Sequence, residues 1–129
     1  MAHPNEELLR QGFEAFAKGD MDTLRELFDP GIIYHAPGRS PLAGVYHGPD
    51  EVIGLFARLF EQSGGTFQAD VHDILANDRH TVVLFRASAE RDGASLADRQ
   101  VLVAHLRAGK IAEVWVISED SYAFDAFFA

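Results

Sequence analysis

Apolar residues recur along this chain with a helical period in its first half and a strand period in its second. From Asn5 to Lys18, Leu9, Phe13, Phe16 and Ala17 fall on one face at the spacing of an amphipathic helix. Asn5 is placed to cap that helix, Glu6 and Glu7 fill its first turn, Lys18 its last, and Gly19 stops it. Asp20 then opens a shorter helix with Leu24, Leu27 and Phe28 as its buried stripe, ended by Asp29-Pro30-Gly31. The β-branched run Ile32 to Tyr34 predicts a strand, which breaks into a loop held by Pro37, Gly38, Pro41 and Gly44. Gly48-Pro49-Asp50-Glu51 begins a third helix with Val52, Phe56, Leu59 and Phe60 turned inward, and Gly64-Gly65 ends it.

From Thr66 to Glu119 the pattern is that of an antiparallel meander. Asp92-Gly93 and Ala108-Gly109 are two-residue hairpin signals, while the turn near Asn77-Asp78-Arg79 is looser. Taken at face value, the tight turns set Val83 opposite Leu102, Phe85 opposite Gln100, Leu102 opposite Trp115 and Gln100 opposite Ile117, all on one face. The other face then collects Val82, Leu84, Val101, Val103, Val114 and Val116, with Arg86 and Arg99 at one end and His105 toward the other. Both faces are therefore apolar, although an antiparallel sheet with one wet side alternates apolar with polar. One face must meet the helices; the other is expected to pair with a second copy of the chain. The closing segment from Ser118 to Phe128 is too aromatic for a free tail and is expected to fold back over the cavity mouth or the dimer seam.

The 129 residues make one domain, and 47 % hydrophobic with 24 % charged residues is an ordinary globular composition. The net charge of −9 and the absence of any Lys/Arg cluster argue against nucleic acid and against an anionic membrane surface. A small apolar ligand answers to a pocket and is left open by that charge. With no cysteine, disulfides, thiolate metal sites and cysteine nucleophiles are excluded. No apolar run is long enough to span a bilayer and the first residues carry no leader pattern, so a cytoplasmic location is expected.

The chemistry centres on His35, which stands where the first strand gives way to its Pro/Gly loop. A ring titrating near neutral pH is suited to proton transfer in a cavity, the plainer alternative being a hydrogen-bonded structural histidine. Tyr34, Tyr46 and Gln100 are candidate hydrogen-bond partners for a carbonyl or enolate. Phe13, Phe16, Phe56, Phe60, Phe85 and Trp115 are candidates for an apolar wall, with Leu102 and Ile117 beside them on the same sheet face. His47, His72, His80 and His105 are too scattered to form a metal site, and no Gly-rich phosphate loop follows a strand, so neither metal nor cofactor is expected.

Phe16-Ala17-Lys18-Gly19-Asp20, Tyr34-His35-Ala36-Pro37-Gly38, Gly44-Val45-Tyr46-His47-Gly48, the Gly109 to Trp115 hairpin and the Asp120 to Phe128 segment together resemble the SnoaL-like polyketide cyclase and ketosteroid-isomerase-like superfamily, which includes nuclear transport factor 2. The resemblance runs from about Asn5 to Phe128. It implies an α+β, cystatin-like fold: a cone-shaped, curved, mixed or antiparallel sheet wrapped around three helices of the N-terminal half. By the same resemblance His35 occupies the position of the ketosteroid isomerase base. The positions of its oxyanion donors fall at Gly12 or Phe13 and near Leu102, so neither donor is present and the steroid isomerase mechanism is not implied. The arginine and aspartates of the related epoxide hydrolases are also missing, since Ile117 stands where an acid is wanted. The cyclase acid/base aspartate near the end of the last strand has its counterpart in Asp120, beside Glu119. The resemblance thus implies a cofactor-independent isomerase, cyclase or dehydratase that moves protons on an apolar carbonyl-bearing or polycyclic substrate. The alternative is a noncatalytic small-ligand-binding or assembly domain of the same fold.

Overall fold

The computed structural model describes residues 3–129. Helix α1 spans Pro4–Lys18 and α2 spans Met21–Leu27; β1 (Phe28–Ala36) and β2 (Gly44–His47) precede α3 (Gly48–Gln62). The meander follows as β3 (Gln68–Ala76), β4 (His80–Arg91), β5 (Ala94–Arg107) and β6 (Lys110–Ser118), and α4 (Ser121–Phe127) closes the chain. One curved six-stranded sheet has the order β2-β1-β6-β5-β4-β3, antiparallel except where β1 runs parallel to β6. The three helices of the N-terminal half lie against its concave side, making the expected α+β cone. No helix among the described residues is long and apolar enough to cross a membrane.

Pro4 moves the first cap. With proline at the start of α1, the capping role falls to His3, whose Nδ1 accepts the Asn5 N–H at 3.1 Å. Asn5, expected as the cap, instead donates its side-chain amide to the carbonyls of Asn77 and Asp78, tying α1 to the β3–β4 turn. Leu9 and Ala15 are buried on the inner face with Phe13 and Phe16 half-buried, whereas Ala17 is exposed. Helix α2 stops one residue early: Phe28 already has extended backbone, and Asp29-Pro30-Gly31 lies inside β1, not in a turn. Pro30 is tolerated because the β1–β6 pairing breaks register between Phe28 and Ile33, where no ladder donor is needed.

Strand β2 lies inside what the sequence reads as loop. Val45 and Tyr46 are its only strong strand formers, and pairing with β1 provides the rest. Helix α3 buries Val52, Leu55, Phe56 and Leu59, with Phe60 partly covered.

Both tight hairpins form as expected, with positive φ at Asp92 and Gly93 and again at Ala108 and Gly109, the signature of two-residue primed turns. Val83 pairs with Leu102 and Phe85 with Gln100. The β5–β6 register departs from expectation. Leu106 pairs with Ile111 but His105 pairs with Glu113, so Ala112 is an extra residue, a β-bulge. Beyond it every β6 side chain changes face. Leu102 therefore meets Val116 and not Trp115, and Gln100 meets Ser118 and not Ile117. Val114 and Val116 are buried under the helices, while Trp115 joins Val82, Leu84, Val101 and Val103 on the convex face, where Ile117 is 57 % exposed.

Candidate active-site cavity

Between the concave sheet face and the helices lies a cavity of about 100 Å³. Phe13 and Phe16 from α1, Phe56 from α3, and Phe85 and Leu102 from the sheet form its wall as expected. The aromatic rings pack edge-on, as for Phe13 with Phe85 at 5.2 Å and Phe16 with Phe56 at 5.1 Å, the arrangement that their quadrupoles favour. Helix α4 covers the cavity through Phe124, and Pro37 and Leu42 approach it from the β1–β2 connection. Among the described residues, Tyr34 and Gln100 are its only polar lining side chains.

Strand alternation decides between the two neighbours Tyr34 and His35. Successive strand residues point to opposite faces, so when Tyr34 enters the cavity His35 cannot. The Tyr34 ring packs edge-on against Phe56 at 5.6 Å. Its hydroxyl makes no hydrogen bond to any described residue and is left to the cavity. Burial, with the Tyr46 phenol adding to it, pushes the Tyr34 phenol above its ordinary range, so the group is a neutral donor at physiological pH. The His35 ring lies instead on the convex face, stacked parallel on Trp115 at 5.4 Å, with Nε2 2.8 Å from Glu113 Oε2. This corrects the expectation that His35 serves the cavity as acid or base.

The remaining candidates divide in the same way. Asp120 is outside the cavity: it caps α4, accepting the Ala123 N–H at 3.1 Å. Trp115 and Ile117 fall on the convex face because of the bulge. Tyr46 is beside the cavity and not in its lining, its hydroxyl donating to the Leu42 carbonyl at 2.7 Å and accepting from Arg58 at 2.9 Å. Phe60 packs on Phe16 at 4.8 Å from behind.

Gln100, on β5, is the other polar candidate that reaches the cavity, and it is 5 % exposed. Its Nε2 donates to Asp98 Oδ2 at 3.0 Å. Asp98 escapes a reading by residue type, yet it is 2 % exposed and also receives the Ser118 hydroxyl and, at 3.0 Å, the Asp120 N–H. One signal could have found it: Asp98 shares the inward parity of Leu96, Gln100 and Leu102, and an acid on that face must be paired.

The cavity cover is latched by Asp125, whose carboxylate accepts the Arg39 N–H at 2.9 Å and the Ser40 N–H at 3.2 Å. Arg91 adds a second tie by donating to the Phe127 carbonyl at 2.7 Å. The loop approaches so closely that a Cβ at Gly38, where φ is +90°, would collide with Asp125 Oδ1. Gly38→Ala is therefore expected to destabilise the protein by about 1–3 kcal/mol, from left-handed backbone strain together with a displaced latch. Urea denaturation of the variant checks this, and an unchanged midpoint would show that the latch carries no stability.

The SnoaL-like domain family matches residues 9–114. A Mycobacterium tuberculosis protein, Rv0034, of uncharacterised function, is 31% identical over 124 residues, 95% of each chain. Bal32a, from a soil-derived mobile gene cassette, superposes with a TM-score of 0.94 at 35% identity, covering 98% of this chain and 97% of its own. IdmH from Streptomyces antibioticus, described as a putative polyketide cyclase, shares the fold at 22% identity with a TM-score of 0.75, over 92% of this chain and 93% of its own. Other structures of this fold are described as cystatin-like and nuclear transport factor 2-like. The match to the family spans most of the length, from α1 into β6, and on that ground this chain belongs to the SnoaL-like domain family.

Proposed function

We propose that the cavity takes a compact, largely apolar, carbonyl-bearing cyclic molecule and promotes its enolisation, isomerisation or cyclisation without a cofactor. The observation that carries this reading is Tyr34: a neutral phenol with no hydrogen-bond partner among the described residues, in a cavity whose other lining side chains are apolar apart from Gln100. A donor held ready in a largely apolar site stabilises negative charge as it develops on a carbonyl oxygen, and needs no reorganisation to do so. Tyr34 would thus carry the electrophilic half of the reaction. The proton on the adjacent carbon would pass to a water molecule that enters with the substrate and return from it to the enolate, since among the described residues neither a carboxylate nor an imidazole lines the cavity.

That same lack of a base favours a second reading, in which the domain binds its ligand and does no chemistry. Cyclohexanone in D2O separates the two readings. Protein-accelerated exchange at the α-carbon, followed by NMR, supports catalysis; binding with exchange at the buffer rate favours the noncatalytic domain.

The convex face supports a second copy of the chain as partner. Val82, Leu84, Val101, Val103 and Trp115 are only half covered there, and Val45 and Ile117 are 51 % and 57 % exposed. Each valine buried fully is worth roughly 1.5 kcal/mol or more, before the entropy lost on association. Light scattering at micromolar concentration is expected to give twice the 14.2 kDa chain mass. Val103→Asp at the centre of the face is expected to return a monomer, and a monomeric parent protein would remove the assignment.

A further inference from the structure

We propose that Gln100 makes the cavity selective for ligands with a neutral hydroxyl, and that Asp98 is the positioning residue that sets this preference. The inference rests on the reading of the cavity as a small-molecule site and names one feature that its ligand must carry. Gln100 lies on β5 with its side chain in the cavity lining and is 5 % exposed. An amide can present either its oxygen or its nitrogen to a ligand, and which one it presents is decided by what holds the other end.

Here the other end faces a carboxylate. The Asp120 N–H, which can only donate, points at Asp98 Oδ1 at 3.0 Å. Asp98 Oδ2 takes the Ser118 hydroxyl and Gln100 Nε2, the latter at 3.0 Å. Turning the Gln100 amide over would set its oxygen against Oδ2, acceptor against acceptor, between side chains that are 5 % and 2 % exposed. The amide is therefore held with nitrogen toward Asp98. Its oxygen, Oε1, receives no donor from the described residues, and it faces a lining that is otherwise apolar apart from Tyr34.

An unpartnered acceptor open to the cavity penalises any ligand that covers it without supplying a donor. The donor should be neutral. An ammonium would need to be desolvated among phenylalanines, and Asp98, the nearest carboxylate to Gln100, already accepts three hydrogen bonds. A phenolic, enolic or alcoholic hydroxyl on a ring meets the requirement.

The test uses p-cresol and toluene, which share a ring and a methyl group and differ by one hydroxyl, with affinities measured by isothermal titration calorimetry on the intact protein. A purely apolar cavity prefers toluene. The parent protein is expected to prefer p-cresol by about 10- to 100-fold, the range for one buried hydrogen bond made or lost. Gln100→Met, similar in shape but without the acceptor, is expected to reverse the order. Asp98→Asn supplies the positional readout. The amide introduced by that substitution would keep its oxygen on the Asp120 N–H and offer its nitrogen to Gln100, turning the Gln100 amide over so that its own nitrogen faces the cavity. Selectivity for p-cresol over benzaldehyde, which only accepts, is expected to fall about 10-fold in the folded fraction.

Toluene bound as tightly as p-cresol by the parent protein, with Gln100→Met unchanged, would overturn the proposal and leave the cavity reading standing. So would a preference lost in Tyr34→Phe and kept in Gln100→Met, which would move the selectivity to the tyrosine. Failure of the parent protein to bind any of the three probes would overturn the cavity reading and this inference with it. Should Asp98→Asn fail to fold, the Gln100→Met comparison decides alone.

Discussion

Tyr34→Phe is expected to fold normally and to lower protein-accelerated α-exchange of cyclohexanone by about 10²- to 10³-fold, the usual cost of removing one donor from an oxyanion site. The substitution deletes a single oxygen. The ring keeps its edge-on contact with Phe56, and no protein hydrogen bond is broken, because the hydroxyl has no partner among the described residues. Stability should therefore be unchanged or slightly raised, since a polar group leaves an apolar site. A catalytic tyrosine predicts a fall in turnover with an intact melting temperature. A tyrosine that only binds predicts weaker affinity and no change in the bound rate. The rate on the parent protein should also be free of any titration of Tyr34 through neutral pH, because burial moves that phenol upward and away from the range. Equal turnover per folded molecule in Tyr34→Phe would end the assignment.

Phe128→Ala carries the largest expected loss of stability, about 3–5 kcal/mol, the cost of deleting a fully buried aromatic side chain and leaving a cavity. Phe128 is 0 % exposed although it is the next-to-last residue. It packs on Phe124 at 5.0 Å, Phe127 at 4.9 Å and Phe67 at 6.2 Å, joining α4 to the segment that follows α3. Losses of this size in a chain of this length lower the melting temperature by roughly 10 °C or more. Tyr122→Ala on the same helix is the control. Tyr122 is 91 % exposed and should change stability by no more than about 0.5 kcal/mol. A Phe128→Ala loss below about 1 kcal/mol would mean that α4 detaches on its own before the sheet unfolds.

Much of this architecture is legible along the chain because it depends on contacts a few residues apart. Asp20 caps α2 through the Thr23 N–H, Gly19 ends α1 in the left-handed region, and both hairpin dipeptides take the positive φ that their turn demands. The order of helices and strands follows from such signals, as does the expectation that the aromatic end folds back, which α4 fulfils by covering the cavity. The cavity's contents were only partly legible. Phe13, Phe16, Phe56, Phe85 and Leu102 line it as their spacing implied, while His35, Asp120, Trp115 and Ile117 do not. Tyr34 and His35 cannot both enter the cavity, since adjacent strand residues face opposite ways.

Local chemistry thus determined where helices begin, where strands turn and which segments are apolar. The tertiary structure alone decided which face the residues of β6, and Tyr34 and His35 of β1, present. Facing is a matter of parity, and one extra residue reverses it for the rest of a strand. Ala112 does this in β6, moving Trp115 and Ile117 outward and Val114 and Val116 inward. Nothing within a few residues of Ala112 demands the bulge; both hydrophobic sets are acceptable locally, and only packing against the helices distinguishes them. The orientation of Gln100 has the same origin, because the groups that hold Asp98 come from β5, β6 and the start of α4, brought together by the β5–β6 pairing.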